Sequence, residues 1–167
     1  MILDWMLILV FPAIMIFAGA FDLLTMTIPN KVSIALVAVF LCLAPFAGLG
    51  WEAIGFHVAL GAVMLALCIV MFAMGWIGGG DAKVFAAASL WMGPAHLLDF
   101  AVIAGLCGGL LTIAILGLRT MPLPAGLAGQ TWLSRLHKAG GGVPYGVALA
   151  AAGVIVYPDT IWLKALV

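Results

Sequence analysis

Two carboxylates stand out by their position. Asp22 follows the uncharged run from Trp5 to Phe21, in the string FDLLTMTIPN, and Asp81 follows three glycines in GWIGGGDAK. A carboxylate bordering hydrocarbon is costly to keep, so a functional role is its default reading. Two of them suggest an acid/base pair. Held a few ångströms apart they cannot both ionise readily, and the pair then keeps one proton across neutral pH. Such a pair polarises a water molecule between its members. The ionised one takes a proton from the water while the protonated one supports the oxyanion of an attacked amide. That chemistry requires no metal and no covalent nucleophile.

The neighbours of the pair suit this use. Gly78, Gly79 and Gly80 have no side chains, so an extended peptide backbone has room to approach Asp81, and they permit dihedrals that other residues resist. A helix starting at Asp81, together with Lys83, adds positive potential beside that carboxylate. Pro29 fits the first turn of a following span, and Asn30 offers an amide to backbone or substrate. The plainer alternative makes each aspartate an interface residue, solvated or paired with Lys31 or Lys83, with the glycines serving close helix packing.

The elements that must position these groups are apolar. Of 167 residues 67% are hydrophobic and 7% charged, with a mean hydropathy of +1.36. No water-soluble domain of this length carries such a composition on its surface. Uncharged runs extend from Trp5 to Phe21, Val32 to Trp51, Ala53 to Gly80, Val84 to Leu98, about Ala101 to Leu118, and Ala139 to Pro158. Most approach the roughly 20 residues that cross the hydrocarbon core as a helix. We expect an all-α, polytopic membrane helical bundle of about six transmembrane helices, one integral-membrane domain over residues 1–167. The fourth run is short once Gly93 and Pro94 end it, so that span is expected either to start back near Gly79 or to be tilted and partly shielded. No strand alternation of the barrel kind recurs. Ala18-Gly19-Ala20 imitates a leader-cleavage site, yet no Lys or Arg precedes the apolar stretch, so the segment is expected to remain as the first span.

Charge orients the bundle. Lys31, Lys83, Arg119, Arg135 and Lys138 fall on one side of the six runs and only Lys164 on the other. Cytoplasmic loops carry the excess of cations. Both termini are thus expected outside, and the loops at about 22–31, 77–83 and 119–142 inside, with Asp22 and Asp81. The two can meet if spans one and four pack together. The 119–142 connection reads as a mobile loop, with a short amphipathic stretch from Trp132 to Leu136 suited to the bilayer surface. Cys42, Cys68 and Cys107 lie at no metal-binding spacing and read as buried small hydrophobes, and His57, His96 and His137 are isolated. No metal, cofactor or nucleic-acid partner is expected; membrane lipid is.

Asp22 followed by Ile28-Pro29-Asn30, and then Gly78-Gly79-Gly80-Asp81-Ala82-Lys83, resemble the two signature motifs of the type IV prepilin peptidases, polytopic aspartic peptidases that cut the leader from prepilins at the cytosolic membrane face. Gly142-Val143-Pro144-Tyr145-Gly146 resembles the proline and glycine motif that opens the last span in that family. The resemblance implies that Asp22 and Asp81 are catalytic, and that Pro29, Asn30, Gly78, Gly79, Gly80, Lys83, Pro144, Tyr145 and Gly146 shape the site or bind substrate. It implies a bacterial inner-membrane enzyme whose partner is the leader peptide of a small Flp-type prepilin or pseudopilin. The chain resembles the short form found with Flp/Tad pilus systems, without the four-cysteine segment of the bifunctional members, so peptidase without N-methyltransferase activity is expected. The glycine-aspartate element is also similar to that of presenilin-type proteases, which carry a different partner motif.

Two other classes compete. A small transporter uses intramembrane carboxylates as relays, but places them near the bilayer midplane. A catalytically silent assembly subunit would tolerate loss of either aspartate.

Overall fold

In the computed structural model, which describes residues 1–123 and 129–164, every regular element is helical. The elements are α1 (Ile2–Thr25), α2 (Asn30–Leu43), α3 (Trp51–Ala73), α4 (Gly79–Thr120), α5 (Thr131–His137), α6 (Tyr145–Val156), a 3₁₀ turn (Tyr157–Asp159) and α7 (Ile161–Lys164). Four helices are long and apolar enough to cross a bilayer: Ile2–Thr25, Trp51–Ala73, Gly79–Thr120 and Tyr145–Lys164. Apolar side chains such as Ile34, Leu110 and Ile113 point outward. A soluble protein would bury them; a bilayer covers them. Within hydrocarbon the backbone must satisfy its own hydrogen bonds, which explains the helix throughout.

α4 is two helices. Gly93 has φ 63 and ψ −179, a conformation essentially restricted to glycine, and Pro94 then opens the second arm, where a missing N–H costs nothing. The chain reverses there, so that Phe85 on arm 79–92 stacks on Phe100 of arm 94–120 at 5.2 Å. The break leaves carbonyls without partners. Leu90 would bond to the N–H of residue 94, which proline lacks. His57 supplies the hydrogen bond instead, its Nδ1–H donating to the Leu90 carbonyl. The Trp91 carbonyl accepts from Trp162 Nε1 at 2.8 Å. His57, isolated in sequence, is thus a structural clasp at the reversal around Gly93.

The hairpin of arms 79–92 and 94–120 sets the architecture. α4 packs on α3 and α6, and α1 lies along α6, while α2 rests on α4. The backbones of α1 and α4 do not pack closely along their length, as a direct pairing of spans one and four would require. Large side chains fill the space instead: Phe11 meets Trp91 at 5.1 Å.

Several boundaries differ from the expected runs. α2 stops at Leu43, well before Trp51, because Pro45 has no N–H to extend the ladder. Its 14 residues rise about 21 Å, short of the roughly 30 Å of hydrocarbon. Asp22 lies inside α1 rather than beyond it, since the helix runs on to Thr25. Arm 94–120 continues through Asp99, and the last span opens at Tyr145, not near Ala139. Of the cysteines only Cys68 is buried; Cys42 is exposed and Cys107 half-buried, on surfaces where lipid rather than protein provides the apolar cover. Pro124 and the middle of the 119–142 connection lie outside the described residues.

Candidate active site at one end of the bundle

The C-terminal turns of α1, the N-termini of α2, α4 and α6, and the last turn of α3 meet at one end of the bundle. The cations Lys31, Lys83, Arg119, Arg135 and Lys138 belong to this end, and Lys164 to the other. The carboxylates of Asp22 and Asp81 therefore lie at an edge of the bundle, not at its middle, where a transporter's relay is expected.

Asp22 is 5% exposed. Its Oδ2 accepts the backbone N–H of Gly146 at 2.8 Å. Gly146 is the second residue of α6 after its cap Pro144, so this N–H is one of the donors that a helix N-terminus leaves without an internal partner. Asp22 thus caps α6 from a different helix, and the positive end of the α6 dipole faces a negative group. A Cβ on Gly146 would stand 2.9 Å from both Cβ and Oδ2 of Asp22. Only glycine lets the two helices approach this closely.

Asp81 occupies the first turn of α4, whose cap is Gly78. Its carboxylate folds back towards that cap, and a Cβ on Gly78 would stand 2.7 Å from Asp81 Oδ2. Each aspartate therefore sits at a helix N-terminus, and the two are near enough for their charges to repel. Ile28 joins the two halves. Its Cβ would be 3.2 Å from a Cβ on Gly80, and its Cδ1 2.9 Å from one on Gly146. The N-terminal ends of α4 and α6 thus each meet a carboxylate.

The triple glycine serves space, not unusual dihedrals. Gly78 has an ordinary φ of −72, and among the described residues the glycines with positive φ are Gly48, Gly75, Gly93 and Gly140. Gly79 faces the Phe72 ring rather than the carboxylates. Among the described residues neither Asp22 nor Asp81 pairs with a Lys or Arg, which removes the interface alternative in its salt-bridged form. Lys83 Nζ donates to Asn30 Oδ1 at 2.9 Å, linking α4 to α2. Pro29 is the cap of α2, one place before the first turn expected for it. Pro144 is buried at the entry to α6, and Tyr145 turns away from the carboxylates onto Gly108, where a Cβ would stand 2.5 Å from its ring.

Two arginines that served in sequence only as topology markers hold the site together. Arg119 donates to the carbonyls of Leu136 (2.7 Å), Gly141 (3.0 Å) and Gly142 (2.9 Å), fixing the segment that leads into Gly146. Arg135 donates to the Thr25 carbonyl at 3.2 Å, just past Asp22. Through these bonds α5, with Leu136 buried, is tied to the bundle. No sequence spacing signals bonds from side chain to distant backbone. The end of α1 is also unusual: Met26 takes a left-handed φ of 58, and its N–H bonds to the Asp22 carbonyl at 2.7 Å. Among the described residues, no three of the His, Cys, Asp and Glu side chains cluster as a metal site.

A family model, the type IV leader peptidase family, matches residues 9–113, well over half of the chain. The match includes Asp22, Ile28 to Asn30 and Gly78 to Lys83, and stops before Pro144 to Gly146. No curated protein and no solved structure matches the chain.

Proposed function

The chain belongs to the type IV leader peptidase family, and on that premise we propose that Asp22 and Asp81 are the catalytic pair of an aspartic endopeptidase that removes the leader of type IV, Flp-type prepilins or pseudopilins at the cytosolic face of the bacterial inner membrane. The observation that carries the assignment is the convergence of both aspartates, Asp22 near the end of α1 against the N-terminus of α6 and Asp81 in the first turn of α4, at one edge of a multi-pass bundle. The excess of cations at that edge supports a cytosolic orientation.

The mechanism follows from the pair. A water held between the carboxylates loses a proton to the ionised aspartate as its oxygen attacks the scissile carbonyl carbon. The protonated aspartate donates a hydrogen bond to the oxyanion that forms. As the intermediate collapses, the C–N bond breaks and the leaving nitrogen takes up a proton from the pair. Gly146 N–H holds one oxygen of Asp22 in place, so that the other is directed to the water. The bare backbone at Gly78 and Gly80 leaves room for an unwound peptide beside Asp81. Lys83 and Asn30, bonded to each other, brace α2 against α4 at the site's edge.

Co-expression of an Flp-type prepilin with the wild type, Asp22→Asn and Asp81→Asn tests this. The expected outcome is a mobility shift from leader removal with the wild type alone, and a loss of about 10²–10⁴-fold or more with either variant, both still folded in detergent. Full processing by either variant would sink the mechanism.

A further inference from the structure

α2 and α3 are consecutive in the chain yet hardly touch, and the first arm of α4 floors the gap between them. The result is a groove of about 910 Å³ that runs along the helices. We infer that this groove receives the apolar helix of the leader-bearing substrate, an inference that rests on the peptidase reading above.

Three features favour that occupant. The first is position: Gly79 and Lys83, on either side of Asp81, line one end of the groove, so a helix lying in it begins beside the proposed cut. The second is surface. Ala38 on α2 and Ala62 on α3 form exposed walls and Ala86 part of the floor, and small residues of this kind let another helix backbone come close. The third is polarity. The groove is apolar along its length and carries Lys83 and Asn30 at the end nearest Asp81. Lys83 has three N–H donors and uses one on Asn30. The others remain for carbonyls of a peptide that unwinds as it leaves the apolar groove. A substrate whose apolar helix starts just after the cut matches that distribution.

The trough between α1 and α6 is the competing site and fits less well. It measures about 440 Å³ and has no charged or amide side chain. Its floor is closed, since a Cβ on Gly19 would stand 2.9 Å from Ala150.

The test compares full-length prepilin cleavage by the wild type, Ala38→Trp, Ala62→Trp and, on the opposite trough, Ala20→Trp. Filling the groove is expected to lower kcat/KM about 10-fold or more, with Ala20→Trp unchanged. Because a tryptophan variant can fail to fold, cysteine cross-linking gives a second readout. In a background without the native cysteines, Ala62→Cys is expected to cross-link to a cysteine in the substrate helix, and Ala20→Cys is not. If the wild type cuts the prepilin while both groove variants match it, or if only Ala20→Cys cross-links, the docking assignment falls and the peptidase reading stands; the groove then holds lipid. A folded wild type that cuts nothing overturns both.

Discussion

The two ends of the bundle are built by opposite means. At the end away from the aspartates, Phe11, Phe40, Trp91, Tyr157 and Trp162 interlock, each fully or almost fully buried, with Trp91 and Trp162 at 4.5 Å and Phe11 and Tyr157 stacked at 4.7 Å. Their polar atoms are all spent on backbone: Trp91 Nε1 on the Leu36 carbonyl at 3.0 Å, Trp162 Nε1 on that of Trp91, and the Tyr157 hydroxyl on that of Leu7. At the aspartate end the close approaches are made at glycine, and Asp22, Arg119 and Arg135 reach across to main-chain groups. The aromatic end gains stability from volume and specificity from its N–H and O–H donors. The glycine end gives up volume to bring two carboxylates and a peptide-sized space together.

Substitutions that separate these roles follow from the contrast. The largest effect is expected from Trp91→Ala, which opens a cavity at the aromatic end and should cost about 3–5 kcal/mol. Thermal unfolding in detergent reads it, and the fraction that remains folded should still cleave. Gly146→Ala should do the reverse. Its new Cβ would meet Asp22 at 2.9 Å, so α6 and α1 must part and the N–H bond to Asp22 is lost. Cleavage is expected to fall about 10²-fold or more, while stability falls by about 1–3 kcal/mol, less than for Trp91→Ala. Arg119→Lys keeps the charge but cannot span three carbonyls, and a loss of about 10-fold in kcat with KM unchanged would mark it as a positioning residue. The smallest effect belongs to Tyr157→Phe, which leaves the ring stack intact and removes one buried hydrogen bond to a carbonyl that keeps its place in α1, for about 1 kcal/mol of stability and no change in kcat. Equal effects of Trp91→Ala and Gly146→Ala on both readouts would erase the distinction between the ends.

Hydropathy was enough to read the bundle, because long apolar runs in lipid have little choice but helix. The break at Gly93-Pro94 was legible for the same reason that it forms: a residue tolerant of positive φ followed by one without an N–H. The end of α2 was not, since charge counting runs past Pro45 to Trp51. At the site the aspartates and glycines were legible by type and by the cost of leaving acids in such places. What escaped was the partner of each. That Asp22 would take the N–H of Gly146, that Ile28 would bridge Gly80 to Gly146, and that Lys83 would turn to Asn30 depends on helix rotation, which no run of apolar residues specifies. Of the two properties expected of Gly78, Gly79 and Gly80, bare backbone and unusual dihedrals, the structure uses the first. Close approach, not φ, requires them.

The reversal at Gly93 also sets the parity of the chain. Arms 79–92 and 94–120 run antiparallel only because the chain turns back between them. Were residue 93 to continue the helix, the second arm would run on in the same direction, and everything after Thr120 would emerge at the opposite end of the bundle. Arg119 would then have no Gly141 or Gly142 to hold, and Gly146 would start its helix a full bilayer away from Asp22. A single dihedral more than sixty residues from either end of the chain decides whether the third motif and the first aspartate ever share a compartment.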